Sequence, residues 1–277
     1  MQNAAFAVLA LNWRYLAFEV PPEQLATAIA GAAAMRFAGL NLTVPHKLLA
    51  MQLVDVLDET AKTWGAVNTI QFQGKNPAGV WLPLRDFESH SPSGIRSVGF
   101  NTDADGFANS LREDLKIHLP GSRALLLGAG GAGRAAALKL AAEKVSELYL
   151  INRTEAKAAA LAAEIQKQSP QVTVHVGYPP GKIDLVVNAT SLGMKAGDPL
   201  AFDDHKFSLS RAQAAYDVIY RPAETPFLAL ARAAGCRTAN GLGMLVHQGA
   251  KAFEIWTGRN APFGVMRQAV EQSIYGH

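Results

Sequence analysis

From Arg123 onward, short apolar runs alternate with Ala-rich stretches of helical period. "RALLLG", "ELYLIN", "VTVHVG", "DLVVNAT" and "AAYDVIY" are too short for stable helices and are rich in residues that favour strands. Between and after them the pattern predicts helices ending near Lys144 and Gln168, and another from Thr225 to Ala234. Alternation of this kind implies parallel strands joined by crossover helices. The first hundred residues have a different texture. "RYLAFEV", "GLNLTV" and "NTIQFQ" predict strands mixed with helices, without a glycine fingerprint. "AAFAVLAL" is apolar enough to suggest a signal segment, but no cation precedes it, and Arg14 and Glu19 follow at once. It is too short to span a bilayer, so it predicts one face of a helix.

After "GFNTD" the stretch "ADGFANSLREDL" begins a helix, which sets a boundary at Asp103. The expected organisation is α/β with two domains: an N-terminal α/β domain over 1–103, and a Rossmann-type, doubly wound parallel sheet over 104–243. The helices of 244–277 are expected to pack back on the first domain. Between Gly74 and Gly94, "GKNPAGVWLPLRDFESHSPSG" predicts an elaborated hairpin connection.

Composition adds exclusions. A chain of 277 residues, 49% hydrophobic and 18% charged, is an ordinary globular protein with enough apolar residues for a full core. Its 26 Lys+Arg against 23 Asp+Glu leave +3 with no basic run, which argues against nucleic acid and suits a small anionic substrate. Cys236 alone cannot form an internal disulfide or a Cys-based zinc site, and it fits a reducing cytoplasm as a buried small hydrophobe. His46, His90, His175, His205 and His247 show no metal-ligand spacing, so no metal is expected. The expectation is a cytoplasmic monomer or homodimer without membrane contact.

The strongest local motif is "LLLGAGGAGRAA", in which Gly128, Gly130 and Gly133 form G-x-G-x-x-G between a strand and a helix. Such glycines permit a tight turn and let backbone N–H groups approach a pyrophosphate at the helix N-terminus. Downstream, "LYLINRTEAK" ends its strand in Asn152, Arg153 and Thr154. Asn152 falls 19 positions after Gly133, near the place where an acidic residue would bind a ribose 2′-hydroxyl. With no acid there, Arg153 suits a 2′-phosphate through charge-assisted bonds, Thr154 offers a further donor, and Lys157 adds charge one turn on. The cofactor these residues imply is NADP(H).

Three stretches of the first domain hold polar residues that a core would not select. "NLTVPHK" sets Asn41, Thr43 and Lys47 around a proline; "GAVNTI" adds Asn68; "GFNTDADGF" adds Asn101, Thr102 and Asp103. With "GAGGAGR", "NRT", "NATSLGM" and "GLGMLVHQ" they follow in order, and the chain resembles the shikimate dehydrogenase family over nearly its whole length. The resemblance implies reversible, NADPH-dependent reduction of 3-dehydroshikimate to shikimate on the route to aromatic amino acids. It implies Lys47 and Asp103 as the catalytic pair, Thr43 and Asn68 as ligands of substrate hydroxyls, and Tyr220 and Gln248 as further substrate contacts. It assigns the cofactor to Gly128, Gly130, Gly131, Gly133, Asn152, Arg153, Thr154, Thr190, Ser191 and Gly243, to which Lys157 is added. The chemistry agrees, because hydride reaching a ketone carbon leaves charge on oxygen, and a lysine held by a carboxylate supplies the proton. On the residues alone, Lys47 also suits a surface, Asp103 a helix N-cap and Gln248 an exposed helix position. Tyr216 and Tyr220 bracket "DVI" at even spacing, which suggests one ring in the core and one outside it.

One part of the family pattern is not matched. In the family a first strand leads into G-x-P-x-x-x-S-x-S-P-x-x-H-N, whose two serines hold the substrate carboxylate. The sequence opens at "MQN", which matches the end of that segment with Gln2 at the usual histidine. The expectation is firm NADPH binding, weak shikimate binding and a sheet edge prone to self-association, unless Ser91 and Ser93 of "SHSPS" hold the carboxylate. Two function classes follow: an NADP-dependent dehydrogenase, with a quinate/shikimate enzyme of relaxed specificity as its variant, or a non-catalytic descendant that binds nucleotide or a shikimate-like ligand. Retention of Lys47 with Asp103 favours the first.

Overall fold

The computed structural model describes residues 1–87, 91–195 and 197–276. The chain divides into two compact units, Met1–Asp103 with Val246–Val270, and Ala104–Leu245 with the residues from Glu271 onward.

The first unit contains α1 (Gln2–Val8), α2 (Leu25–Ala34), β1 (Gly39–Asn41), α3 (His46–Leu49), β2 (Val56–Leu57), α4 (Glu59–Trp64), β3 (Thr69–Lys75), β4 (Trp81–Pro83) and β5 (Ile95–Phe100). β3 is central. On one side it pairs antiparallel with β5, from Thr69 opposite Phe100 to Gly74 opposite Ile95. On the other it meets β1 at Thr69–Gln71 and then β4 at Gln73–Lys75. β2 closes the far side of β5 in parallel. Leu25, Ile29 and Ala32 of α2 pack with Ile70 and Phe72 of β3 and with Val67 and Phe87 to form the core. Asp58 caps α4 by accepting from the Thr60 N–H at 2.9 Å, and Gly65, at φ +66, ends it.

Two expectations change here. "RYLAFEV" forms no strand, although its alternation suits one, and Leu16 and Phe18 are 65% and 63% exposed. A strand exists only where another edge accepts its ladder. The amide of Asn3 takes that role at one position, donating to the Tyr15 carbonyl at 2.9 Å and accepting from the Tyr15 N–H at 2.7 Å. The hairpin connection contains a strand of its own, β4, with the Arg96 guanidinium lying 4.6 Å above the Trp81 ring.

The second unit continues with α5 (Asp103–Asp114), β6 (Arg123–Leu127), α6 (Gly131–Ala142), β7 (Glu147–Ile151), α7 (Glu155–Gln168), β8 (Thr173–Val176), β9 (Ile183–Asn188), β10 (Ala212–Asp217), α8 (Pro226–Ala233), β11 (Arg237–Asn240), α9 (Leu242–Thr257) and α10 (Phe263–Tyr275). Its six strands lie in the order β11-β10-β9-β6-β7-β8 and all pair in parallel. This is the doubly wound Rossmann arrangement, with its switch point between β6 and β9, where such sheets bind ligands.

The C-terminal helices do not all belong with the first unit. α9 begins in the second unit and continues in the first from Val246, and α10 returns to the second at Glu271. On the first unit α9 presents the Trp256 indole, which donates to the Ile70 carbonyl at 2.9 Å where Gly39 leaves room. In the second unit the Tyr275 hydroxyl donates to the Tyr220 carbonyl at 2.6 Å and accepts from Asn240 at 3.0 Å, which fixes the chain's last turn there. Among the described residues no helix is long and apolar enough to cross a membrane.

Candidate active site

In the first unit, three segments converge on Asn68, which immediately precedes β3 and is 1% exposed. The Thr102 N–H can only donate, and it lies 2.9 Å from Asn68 Oδ1, which fixes the direction of the amide. Thr69 Oγ1 donates to the same oxygen at 3.1 Å. Asn68 Nδ2 then faces Thr102 Oγ1 at 2.9 Å and Gln248 Oε1 of α9 at 3.5 Å. The Asn68 carbonyl accepts from the Leu42 N–H at 2.8 Å and from Asn41 Nδ2 at 3.2 Å. One buried residue thereby holds the loop after β1, the loop after β5 and a side chain of α9.

Lys47 and Asp103 stand at the ends of the two loops so held. Lys47 lies on α3, and its carbonyl accepts from the Val67 N–H at 2.9 Å, one residue before Asn68. Asp103 is the first residue of α5, where a helix N-terminus favours a carboxylate, and its N–H donates to Asn101 Oδ1 at 3.1 Å. Lys47 Nζ meets Asp103 Oδ2 at 2.7 Å, with side chains 27% and 16% exposed. The pair is within reach of a small molecule while its backbone supports are buried. Such a pair can hold a proton next to an oxygen that gains charge.

Of the other residues proposed for substrate, Gln248 is half-buried and joins the Asn68 cluster, whereas the Thr43 side chain is exposed at the turn into α3. Ser93 Oγ donates to the Lys75 carbonyl at 3.2 Å, at the end of β3 remote from Asn68. Six residues of strand separate the two places, about 20 Å, so Ser93 does not reach the Lys47–Asp103 pair. His90 lies outside the described residues. Sequence reasoning missed Tyr15, 37% exposed, whose hydroxyl donates to Asn41 Oδ1 at 3.1 Å. Its only signal was an aromatic with a polar tip inside an apolar run.

In the second unit, the glycine turn after β6 has the geometry of a phosphate cradle. Gly128 is at φ +107, and a Cβ at Gly133 would lie 2.1 Å from the Gly128 carbonyl, so the turn closes only with glycine at both positions. A Cβ at Gly130 or Gly131 would meet nothing within 4 Å, which leaves open space beside the N-terminus of α6. The turn is braced by Asn152, whose Oδ1 accepts from the Ala129 N–H at 3.0 Å while its Nδ2 donates to the Thr154 carbonyl at 2.8 Å. Arg153, Thr154 and Lys157 are exposed just beyond, and among the described residues no acid pairs with Arg153. The residues present therefore fit a dinucleotide with a phosphate near Arg153.

Two assignments acquire a different physical basis. At Gly243 a Cβ would lie 2.0 Å from Asp114 Oδ2 and 2.5 Å from Ser110 Oγ, so close packing of α9 on α5 demands glycine whether or not a ligand touches it. Asn152 acts first as a brace. Tyr216 is fully buried, donating to or accepting from Ser110 at 3.0 Å, while Tyr220 is 39% exposed. Thr190 bonds inward to Asn188 at 2.7 Å, and Ser191 beside it is exposed. Asn188, Asp217 and Thr225, fully buried behind this loop, were not singled out; the available signal was an aspartate inside the apolar run "AAYDVIY". Cys236 is buried among apolar neighbours, which raises its thiol pKa. Among the described residues no cluster of three metal-ligating groups occurs.

Comparison with known proteins finds matches along most of the chain. A family model for the shikimate dehydrogenase substrate-binding domain matches residues 1–70, one for shikimate/quinate 5-dehydrogenase matches 110–192, and one for the shikimate 5′-dehydrogenase C-terminal domain matches 241–271. The shikimate dehydrogenase (NADP(+)) of Methanopyrus kandleri is 40% identical, over 99% of this chain and 90% of its own length. Shikimate 5-dehydrogenase from Thermus thermophilus, solved with NADP(H) and shikimate, superposes with a TM-score of 0.79 at 33% identity, covering 98% of this chain and 92% of its own. The 5-ketofructose reductase of a Gluconobacter strain also superposes with a TM-score of 0.79, at 32% identity, covering 98% and 92%.

If Asn68 organises the first unit's loops, Asn68→Ala strands the Thr102 N–H and the Thr69 hydroxyl without their acceptor. The expected loss is about 2–4 kcal/mol of unfolding free energy, measured by urea titration. A loss below about 1 kcal/mol would show that the cluster does not depend on this amide.

Proposed function

The chain belongs to the shikimate dehydrogenase family, and we propose that it interconverts 3-dehydroshikimate and shikimate with NADP(H), using Lys47 and Asp103 as its acid–base pair. The observation that carries this reading is the 2.7 Å contact between Lys47 Nζ and Asp103 Oδ2 on two loops braced from beneath. We assign substrate binding to the unit formed around residues 1–103, and the dinucleotide to the unit formed around 104–243.

When bound, NADPH supplies hydride to the ketone carbon. The Lys47 ammonium stands beside the ketone oxygen and gives it a proton as negative charge develops there, which yields the alcohol. In the reverse direction the neutral amine takes the hydroxyl proton as hydride leaves the carbon. Asp103 holds the ammonium in place and accepts a bond from a ring hydroxyl. Thr43, Asn68, Gln248 and Tyr220 are the further substrate contacts of this reading; Asn68, 1% exposed, acts through the network it holds.

On the cofactor side, Gly128, Gly130, Gly131 and Gly133 receive the pyrophosphate, and Arg153 with Thr154 and Lys157 receives the 2′-phosphate. Asn152, Thr190, Ser191 and Gly243 complete the set. The Lys47–Asp103 pair supports an enzyme over a non-catalytic binder, and comparison of quinate with shikimate as substrate separates the relaxed-specificity variant. The small net charge without a basic run supports action on a small anion rather than on nucleic acid, and the lone cysteine fits the cytoplasm.

If Lys47 transfers the proton, Lys47→Ala lowers kcat by about 10²–10⁴ with little change in the KM for shikimate, read from NADPH absorbance. A raised KM with intact kcat would make Lys47 a ligand only.

If Arg153 binds the 2′-phosphate, Arg153→Ala weakens NADP⁺ by roughly ten- to hundred-fold, about 1.5–3 kcal/mol, and leaves NAD⁺ nearly unchanged. Equal weakening of both would rule out that contact.

A further inference from the structure

Behind the Thr190 loop lies a polar cluster that the reaction above does not use. Asn188 at the end of β9, Asp217 at the end of β10 and Thr225 before α8 are each 0% exposed. Among the described residues no cation pairs with Asp217. An unpaired carboxylate in a core is costly, and burial raises its pKa even though hydrogen bonds from Thr225, Ile219 and Asn188 oppose the rise. Packing alone does not account for a charge at this position.

The directions of the hydrogen bonds do account for it. The Thr190 N–H can only donate, and it lies 3.1 Å from one atom of the Asn188 amide, so that atom is Oδ1. Asn188 Nδ2 therefore faces the other way, to the Leu192 carbonyl at 3.1 Å and both Asp217 oxygens at 3.1 Å. Thr225 Oγ1 caps α8 by accepting from the Leu228 N–H at 3.3 Å, which leaves its proton for Asp217 Oδ2 at 2.6 Å. The Ile219 N–H donates to Asp217 Oδ1 at 3.1 Å. Every group facing Asp217 is a donor, and only a group that accepts on both atoms satisfies them all.

The outward end of this chain is Thr190, one of the residues assigned to the cofactor. Its hydroxyl proton goes to Asn188 Oδ1 at 2.7 Å, and its oxygen accepts from the Leu192 N–H at 3.1 Å. Thr190 is left with a lone pair and no proton to give. Gly193, at φ +109, seats the same loop on Thr225, where a Cβ would come 3.3 Å from Thr225 Cβ. We infer that Asp217 is a positioning residue for the dinucleotide: through Asn188 it fixes the hydrogen-bond polarity of the loop after β9, so that Thr190 presents an acceptor to the bound cofactor.

The inference rests on the NADP(H) reading, and Asp217→Asn tests it on the full chain with little change of volume. The new amide turns either its NH₂ or its oxygen toward donors that need two acceptors, so Asn188 is driven to reverse and Thr190 loses its partner. The expected result is NADP⁺ binding weakened about ten-fold by titration calorimetry, with the KM for shikimate within about two-fold of the parent. A purely structural role would lower the melting temperature and leave the affinity of the folded protein unchanged, and that result overturns the inference. Should Asp217→Asn not fold, Asn188→Leu removes the acceptor that orients the Thr190 hydroxyl at nearly constant volume, and it is expected to weaken NADP⁺ about ten-fold; unchanged affinity there overturns the inference equally. If the parent chain itself does not bind NADP⁺, the cofactor reading has failed, an outcome distinct from a parent that binds and a variant that binds as well.

Discussion

A buried carboxamide that accepts from a backbone N–H has its direction fixed, and the first unit depends on one such group. Asn68 Oδ1 is held by the Thr102 N–H at 2.9 Å, and its other atoms then dictate where Thr102, Asn41 and Gln248 stand. Lys47 and Asp103 share none of those bonds, yet each sits within a few residues of a segment that does. Their 2.7 Å contact is set from below by buried backbone and amide groups, and not by the two partly exposed side chains alone. An isolated surface pair of that kind is worth little. What gives this one its place is the rigidity beneath it.

The second unit uses the same device twice. Asn152 ties the end of β7 to the glycine turn, and Asn188 ties the end of β9 to the loop that carries Thr190. In both, a strand end at the carboxyl edge of the sheet supplies an amide whose oxygen accepts a loop N–H, and the residues proposed to meet the cofactor lie one or two positions further on. The glycines complement this arrangement by allowing the approach that the amides require, as the 2.1 Å from a Gly133 Cβ to the Gly128 carbonyl shows.

Much of this was legible from sequence because strand-length apolar runs and glycine spacing are local signals. The runs at 123–128, 147–152 and 184–190 became neighbouring strands, and "GAGGAG" formed the turn that its spacing implies. "RYLAFEV" failed because alternation predicts only which side chains share a face, whereas a strand also needs a partner edge. β4 was invisible at three residues. Gly243 was attributed to a ligand when its immediate reason is Asp114 and Ser110 packed against it, a contact between segments far apart in sequence. Asp217 carried a visible signal, a charge in an apolar strand, but its meaning lay in donors contributed by Asn188, Ile219 and Thr225, which only the fold brings together.

Lys47 either moves the proton or merely binds the substrate. Chemical rescue addresses this directly: the Lys47→Ala enzyme is assayed with saturating shikimate and NADP⁺ in the presence of small primary amines of graded basicity. A proton-transfer role predicts that kcat rises with amine concentration and that more basic amines of equal size are the more effective. If amines leave kcat at its depleted value and lower only the KM for shikimate, Lys47 is a binding group and the acid–base assignment is wrong.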